Sequence, residues 1–164
     1  MINDFDPIHI SETTKIRIRE DFYLKFCNQT EKGESRSERE VFTTDWQRFL
    51  WAFILGINEG KRTPFKKGDK THTPFGFDVF KNKQKMLRLI IGLTLQELYK
   101  KDVSKLKEDF EIAETEGKNL GNDIKIAMEE FANTGFAKMM FKTSTIPGYI
   151  ENMEEIVADI LEKD

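Results

Sequence analysis

The apolar positions of this chain fall mostly at helical spacing. Trp46, Phe49, Leu50, Phe53, Ile54 and Ile57 recur in the i, i+3, i+4, i+7 series, and Trp51 and Leu55 add apolar groups on the remaining side. The pattern predicts a helix over 45–59. A helix apolar nearly all round is buried on several sides, so this one is read as the central core helix. Thr43, Thr44 and Asp45 offer oxygens to its free first-turn N–H groups, and Gly60 stops it. A second strongly apolar helix is expected over about 79–100, carrying Met86, Leu87, Leu89, Ile90, Ile91, Leu93, Leu95 and Leu98. Gly92 inside it costs about 1 kcal/mol against Ala, which a close helix crossing would explain.

Val103, Leu106, Phe110 and Ala113 predict a third helix with an acidic outer face, bracketed at its end by Gly117 and Gly121. Ile124, Ala127, Met128, Phe131 and Ala132 form another stripe. It is expected to stop near Asn133-Thr134-Gly135, where Gly135 suits a left-handed C-cap, and Phe136, Met139, Met140 and Phe141 continue as a short apolar turn. From Pro147 or Gly148 a last helix places Tyr149, Met153, Ile156, Val157, Ile160 and Leu161 on one face. Towards the N-terminus, 1–14 reads as an irregular arm. Ile16 and Ile18 alternate with Arg17 and Arg19, which suits a short strand or the start of a helix through Asp21. Phe22, Tyr23, Phe26 and Cys27 make a helical stripe, and 28–40 is a polar loop. Residues 61–77 read as a long basic loop, because two Thr-Pro steps disfavour helix at Thr63 and Thr73. The fold expected is all-α: a compact single-domain bundle of five to seven helices over 1–164, with room for one short N-terminal strand.

Composition narrows the classes. The chain has 164 residues and its hydrophobic fraction is 38%, enough with its ten glycines for a single sizeable core. One cysteine excludes a disulfide framework, and with two histidines it excludes the common His/Cys zinc sites. There is no apolar run long enough to span a bilayer and no basic leader followed by an apolar stretch. The expected setting is therefore cytoplasmic, without a membrane partner.

Charge changes the picture more. The net charge is −3, yet residues 61–88 carry nine basic and two acidic side chains, a local +7. Residues 1–60 carry eight basic and eleven acidic, and 89–164 nine and sixteen, so the flanks stand at −3 and −7. A patch acts over about a Debye length, ~8 Å at physiological salt, so local charge decides attraction. Either the basic segment balances the acidic C-terminal third of the same fold, or it faces a partner. Within it, Lys61, Arg62, Lys66, Lys67 and Lys70 are the candidate contact residues for nucleic acid or an acidic protein. Phe65, Phe75 and Phe77 would stack on bases or, for at least two of them, anchor the loop. Lys61 and Arg62 also meet the negative end of the helix dipole over 45–59, a purely structural reason for both.

The other motifs favour structure over chemistry. Gly60-Lys61-Arg62-Thr63 lacks the spacing and preceding strand of a phosphate-binding loop. Glu59-Gly60-Lys61 and Glu116-Gly117-Lys118 resemble nuclease carboxylate–lysine pairs, but lie where a glycine stops a helix. His9 and His72 lack an orienting partner in sequence, and Cys27 sits on an apolar stripe as a small core residue. Glu129 and Glu130 read as solvated, and Asn133 as a cap or a bond across to another segment. No catalytic constellation, metal site or cofactor is expected.

Three strings together carry a resemblance: Val41-Phe42-Thr43-Thr44-Asp45; Gly56-Ile57-Asn58-Glu59-Gly60-Lys61-Arg62-Thr63-Pro64-Phe65; and Glu130-Phe131-Ala132-Asn133-Thr134-Gly135-Phe136. Their order and spacing resemble the family known as DNA phosphorothioation-associated protein four, found beside the Dnd sulfur-modification genes. In that family a Phe and an Asp open a hydrophobic helix, a Gly-Lys-Arg-x-Pro-like turn follows, and a Tyr-Ala-Asn-Gly-Gly-like string comes late. Here Phe131 stands for the tyrosine and Thr134 interrupts the glycine pair. The resemblance covers about 15–142 and implies a cytoplasmic, non-catalytic accessory protein of a DNA-modification or anti-phage system, working by contact with a protein partner or duplex DNA. It transfers no catalytic residue. The alternative is a stand-alone DNA-binding regulator using 61–88, although no helix-turn-helix with a basic recognition helix stands out.

Overall fold

The computed structural model describes residues 6–27 and 44–149. The polar loop at 28–40, the first string of the resemblance up to Thr43, and the last helix beyond Tyr149 lie outside the described residues. Among the described residues two short strands, β1 (Lys15–Arg19) and β2 (Thr71–Gly76), accompany five helices: α1 (Glu20–Phe22), which runs on into a π-helical turn at Tyr23–Cys27, α2 (Asp45–Glu59), α3 (Gln84–Tyr99), α4 (Val103–Glu116) and α5 (Gly121–Thr145). The protein is thus mostly helical but not purely all-α.

α2 occupies the predicted span. Thr44 precedes it, and Gln47 folds back to accept the Thr44 N–H at 3.1 Å. Gly60 closes it with φ +63° and an N–H bond to the Ile57 carbonyl at 2.9 Å. Gly117 closes α4 in the same left-handed way, φ +65°. Both Glu-Gly-Lys strings are therefore helix stops.

α5 departs from expectation. It runs unbroken through Asn133-Thr134-Gly135 to Thr145, and it shares with α2 the role of core helix. Gly135 is not a C-cap; a Cβ there would overlap the Ala52 carbonyl oxygen. A Cβ on Gly56 would likewise overlap the Phe131 carbonyl oxygen. Two glycines, one on each helix, let the α2 and α5 backbones touch. The glycine that looked like a stop signal answers a tertiary demand instead. Gly92, by contrast, meets no close crossing among the described residues: a Cβ there has none of their atoms within 4 Å.

Aromatic side chains fill the space around this crossing. Phe53 meets Phe131 edge-on at 6.3 Å, and Phe22 and Phe26 stack on Phe136 at 5.5 and 5.8 Å. Each such pair adds about 0.5–1.5 kcal/mol beyond its burial. β1 turns Ile16 and Ile18 inward, with Phe75 of β2 beside Phe49 at 5.5 Å.

The strand at 15–19 exists because it finds β2, within what the sequence suggested was loop. The two pair antiparallel, Lys15 opposite Gly76 and Arg19 opposite Thr71, with a break in register between Ile16 and Ile18. Pro74 cannot donate to a ladder, so it is confined to edge strands or bulges. A two-stranded ribbon has only edges, and the break falls where Thr73 and Pro74 face Arg17. The second predicted helix begins at Gln84, after a 3-10 turn at Phe77–Phe80, later than the 79 expected.

Candidate contact surface

The chain leaving α2 does not wander. Thr63 donates its N–H to the Glu130 carbonyl of α5 at 3.0 Å. Asn133, buried, donates from Nδ2 to the Thr63 carbonyl at 3.1 Å, and the Thr63 and Thr134 hydroxyls bond at 2.8 Å. Arg62 reaches Glu130 at 3.4 Å, and Lys138 of α5 pairs with Glu59 at the end of α2. The second and third strings of the resemblance thus meet as one junction. Asn133 bonds across to another segment, one of the two roles open to it.

Beneath this junction lies the largest departure from the sequence reading. Glu129 is not solvated; its side chain is 0% exposed. Its Oε2 accepts from Arg17 Nη2 at 2.6 Å and Nε at 3.0 Å, and its Oε1 from the Arg17 backbone N–H at 2.8 Å. Lys125, one turn back on α5, adds an ion pair at 2.9 Å. The carboxylate therefore supplies the partner that the broken ladder denies the Arg17 N–H. Arg17 also lies over the Phe65 ring, 4.5 Å from its centroid. Cation–π contact of this kind fixes the loop aromatic rather than leaving it for a base. Phe75 and Phe77 are buried, so two of the three loop phenylalanines are anchors.

Beyond Phe65 the chain makes a tight turn. Asp69 accepts the Lys66 N–H on its carboxylate at 2.8 Å and returns its own N–H to the Lys66 carbonyl at 3.1 Å, with Gly68 at φ +92°. The Lys70 carbonyl takes the Glu20 N–H at 2.9 Å. The backbone carrying Lys61, Arg62, Lys66, Lys67 and Lys70 is therefore tied down at α5, within the turn and at α1. All five side chains are exposed. Among the described residues, only Arg62 of these five has its side-chain charge within 4 Å of a carboxylate. Elsewhere Lys100, Lys107, Lys125 and Lys138 each pair with a glutamate. Internal balancing of the basic segment by the C-terminal third reduces, among the described residues, to Arg62 with Glu130.

The remaining candidate groups sort as structure. His72 stacks on Tyr23 at 4.4 Å and lies 3.5 Å from Glu20. Cys27 is buried, and burial, with the Asp45 charge, pushes its thiol up to about 12 against the opposing pull of Arg48. A thiol so held is inert. Among the described residues no three His, Cys, Asp or Glu side chains converge, and no helix is long and apolar enough to cross a membrane.

What the fold and this surface define is a helical protein that presents a fixed basic turn on a close-packed α2–α5 pair. Residues 27–163 match the family described as DNA sulphur modification system-associated protein 4, and the chain belongs to that family. Membership associates it with a DNA sulphur modification system. No curated protein and no solved structure matches the chain.

Proposed function

We propose that the protein is a non-catalytic accessory component of that system and contacts duplex DNA through Lys61, Arg62, Lys66, Lys67 and Lys70. One observation carries the reading: these cations stand exposed on a backbone already fixed, and among the described residues four of the five side-chain charges form no ion pair. Phosphate contact by Lys and Arg releases counterions, which supplies affinity without base readout. A rigid presenting turn removes most of the ordering cost, about 1–2 kcal/mol per backbone residue fixed.

The test is fluorescence anisotropy of duplex DNA, plain and phosphorothioated, across a salt series. Three to five phosphate contacts predict a log–log salt slope of about −3 to −4.5. The double variant Lys66→Glu, Lys67→Glu is expected to lose binding, or to reduce the slope by about 2. Absence of binding at low salt, or a double variant that binds like the parent, would refute the DNA contact. A preference for the phosphorothioated duplex would tie the contact to the modification itself.

A further inference from the structure

Phe65 is an aromatic side chain that the core does not use. Phe75 and Phe77, the other two phenylalanines of the connection, are buried, whereas Phe65 is half-exposed and, among the described residues, belongs neither to the core nor to the hydrophobic groups packed on it. Pro64 before it is exposed, and Arg62 and Lys66 flank the two. An apolar spot thus stands in the middle of the basic turn.

The spot is held in place. The Arg17 guanidinium lies over the Phe65 ring at 4.5 Å, and Arg17 is itself held by Glu129 through Nε and Nη2. Its Nη1 makes no hydrogen bond among the described residues, and the side chain is 37% exposed. A free guanidinium N–H and a fixed ring therefore lie side by side. The surrounding charge favours an anion. Four carboxylates are tied into this face: Glu129 and Glu130 of α5, Asp69 in the turn and Glu20 beyond it. Against them stand the five cations of the turn with Arg17 and Lys125, an excess of three positive charges. Glu59 and Glu97, at the α2 end, are each paired, with Lys138 and Lys100.

Bases inside a duplex are stacked away from such a ring, and a ring pinned beneath Arg17 cannot swing in to reach them; the backbone is what it meets. An ordinary phosphate oxygen pressed against it would lose water and gain no hydrogen bond. Sulfur in that place keeps the negative charge, but it is larger, more polarizable and a poorer hydrogen-bond acceptor. It loses less and gains contact with the ring, whose edge is the positive part of its quadrupole. The family associates the chain with a DNA sulphur modification system, the setting in which such a backbone is met.

We propose that Phe65, with Pro64 beside it, takes the sulfur of a backbone phosphorothioate, while Arg17 Nη1 and Lys66 hold the remaining oxygen. This rests on the DNA contact proposed above and adds to it the residue that tells sulfur from oxygen.

The experiment measures three duplexes of one sequence by fluorescence anisotropy: all-oxygen, and phosphorothioated at every linkage in one or the other configuration at phosphorus. The two configurations carry the same charge and the same sulfur, aimed differently, so general adhesion of sulfur to protein cancels between them. One configuration should bind about threefold or more tighter than both the other and the plain duplex. Phe65→Ala should bring that ratio close to one and keep the parent circular-dichroism spectrum. A variant that weakens all three duplexes alike, with the ratio kept, would overturn the proposal, and so would a parent that binds both configurations and the plain duplex equally. In that last case the DNA contact itself survives. Absence of binding to any of the three at low salt would remove the contact and this inference together.

Discussion

The same substitution, glycine to alanine, should move stability in opposite directions at two helical positions. At Gly135 the added methyl would overlap the Ala52 carbonyl oxygen and sit 2.5 Å from its carbon and 2.8 Å from Ala52 Cα. Carbon atoms rest about 3.5–4.0 Å apart, so α2 and α5 must separate locally by roughly 1 Å. A gap of about 0.5–1 Å forfeits a quarter to a half of each affected contact, and here the obstacle is backbone, which cannot swing aside. Overpacking costs about 1–3 kcal/mol, and this site belongs at the upper end. Helix propensity returns about 1 kcal/mol, leaving a net loss of about 2. At about 2–4 °C per kcal/mol for a chain of this size, Tm should fall by about 4–8 °C. At Gly92 the methyl meets none of the described residues within 4 Å, so propensity decides. Stability should rise by about 1 kcal/mol and Tm by about 2–4 °C. Thermal and urea unfolding followed by circular dichroism measure both. A Gly135→Ala variant as stable as the parent would refute the close α2–α5 crossing. A Gly92→Ala variant that loses stability would show that Gly92 is needed within the fold.

Three further outcomes are expected. Glu129→Gln leaves Arg17 and Lys125 without their anion; breaking a buried pair costs about 3–5 kcal/mol, and solvent at the 37%-exposed Arg17 side chain should hold the loss near the lower figure, as chemical denaturation will show. Cys27 should react with a thiol reagent at pH 8 only as fast as the protein opens; with the thiol at about 12 folded and ordinarily near 9, its contribution to stability is complete below pH 9 and declines as pH climbs towards 12. Prompt labelling of the native protein would contradict that. Burial first, then the hydrogen bond to Asp109, lifts the Tyr99 hydroxyl from 10 to about 12. The Tyr99 contribution is whole below pH 10 and lost between 10 and 12, so Tyr99→Phe should lose less stability than the parent across that window, read from urea midpoints at successive pH values.

The helix over 45–59 was legible because its signals are local: an oxygen acceptor before it, a glycine after it, and apolar positions throughout. The stops at Gly60 and Gly117 were legible for the same reason. Gly135 misled because glycine serves two unrelated needs, a left-handed stop and a close backbone approach, and only the partner helix tells them apart. β2 was hidden by the Thr73-Pro74 step, which reads as loop, and its pairing joins segments more than fifty residues apart in the chain. Of the candidate site, the five cations were visible as charge, but their fixed backbone was not. That depends on Thr63 finding Asn133 and Thr134 across α5. Glu129 did carry a signal that was missed. It precedes Ala132 and Phe136 by three and seven residues, which puts a carboxylate on a buried helical face. A charge so placed demands a cation from elsewhere, and the outward-facing Arg17 of β1 was available.

The division of labour within the two strings of the resemblance follows from these contacts. Gly56 and Gly135 set the distance between α2 and α5. Thr63, Asn133 and Thr134 fix where the turn leaves that pair, and Arg17 with Glu129 pins the ribbon beneath it. None of these groups except the partly exposed Arg17 presents charge to solvent, whereas Lys66, Lys67 and Lys70 stand exposed three to seven residues beyond Thr63. Apart from Lys61 and Arg62, which lie inside the second string, the two strings set position rather than present charge. Placement matters most when the contact is electrostatic, because exposed charge is screened within about 8 Å at physiological salt and a displaced turn leaves that range.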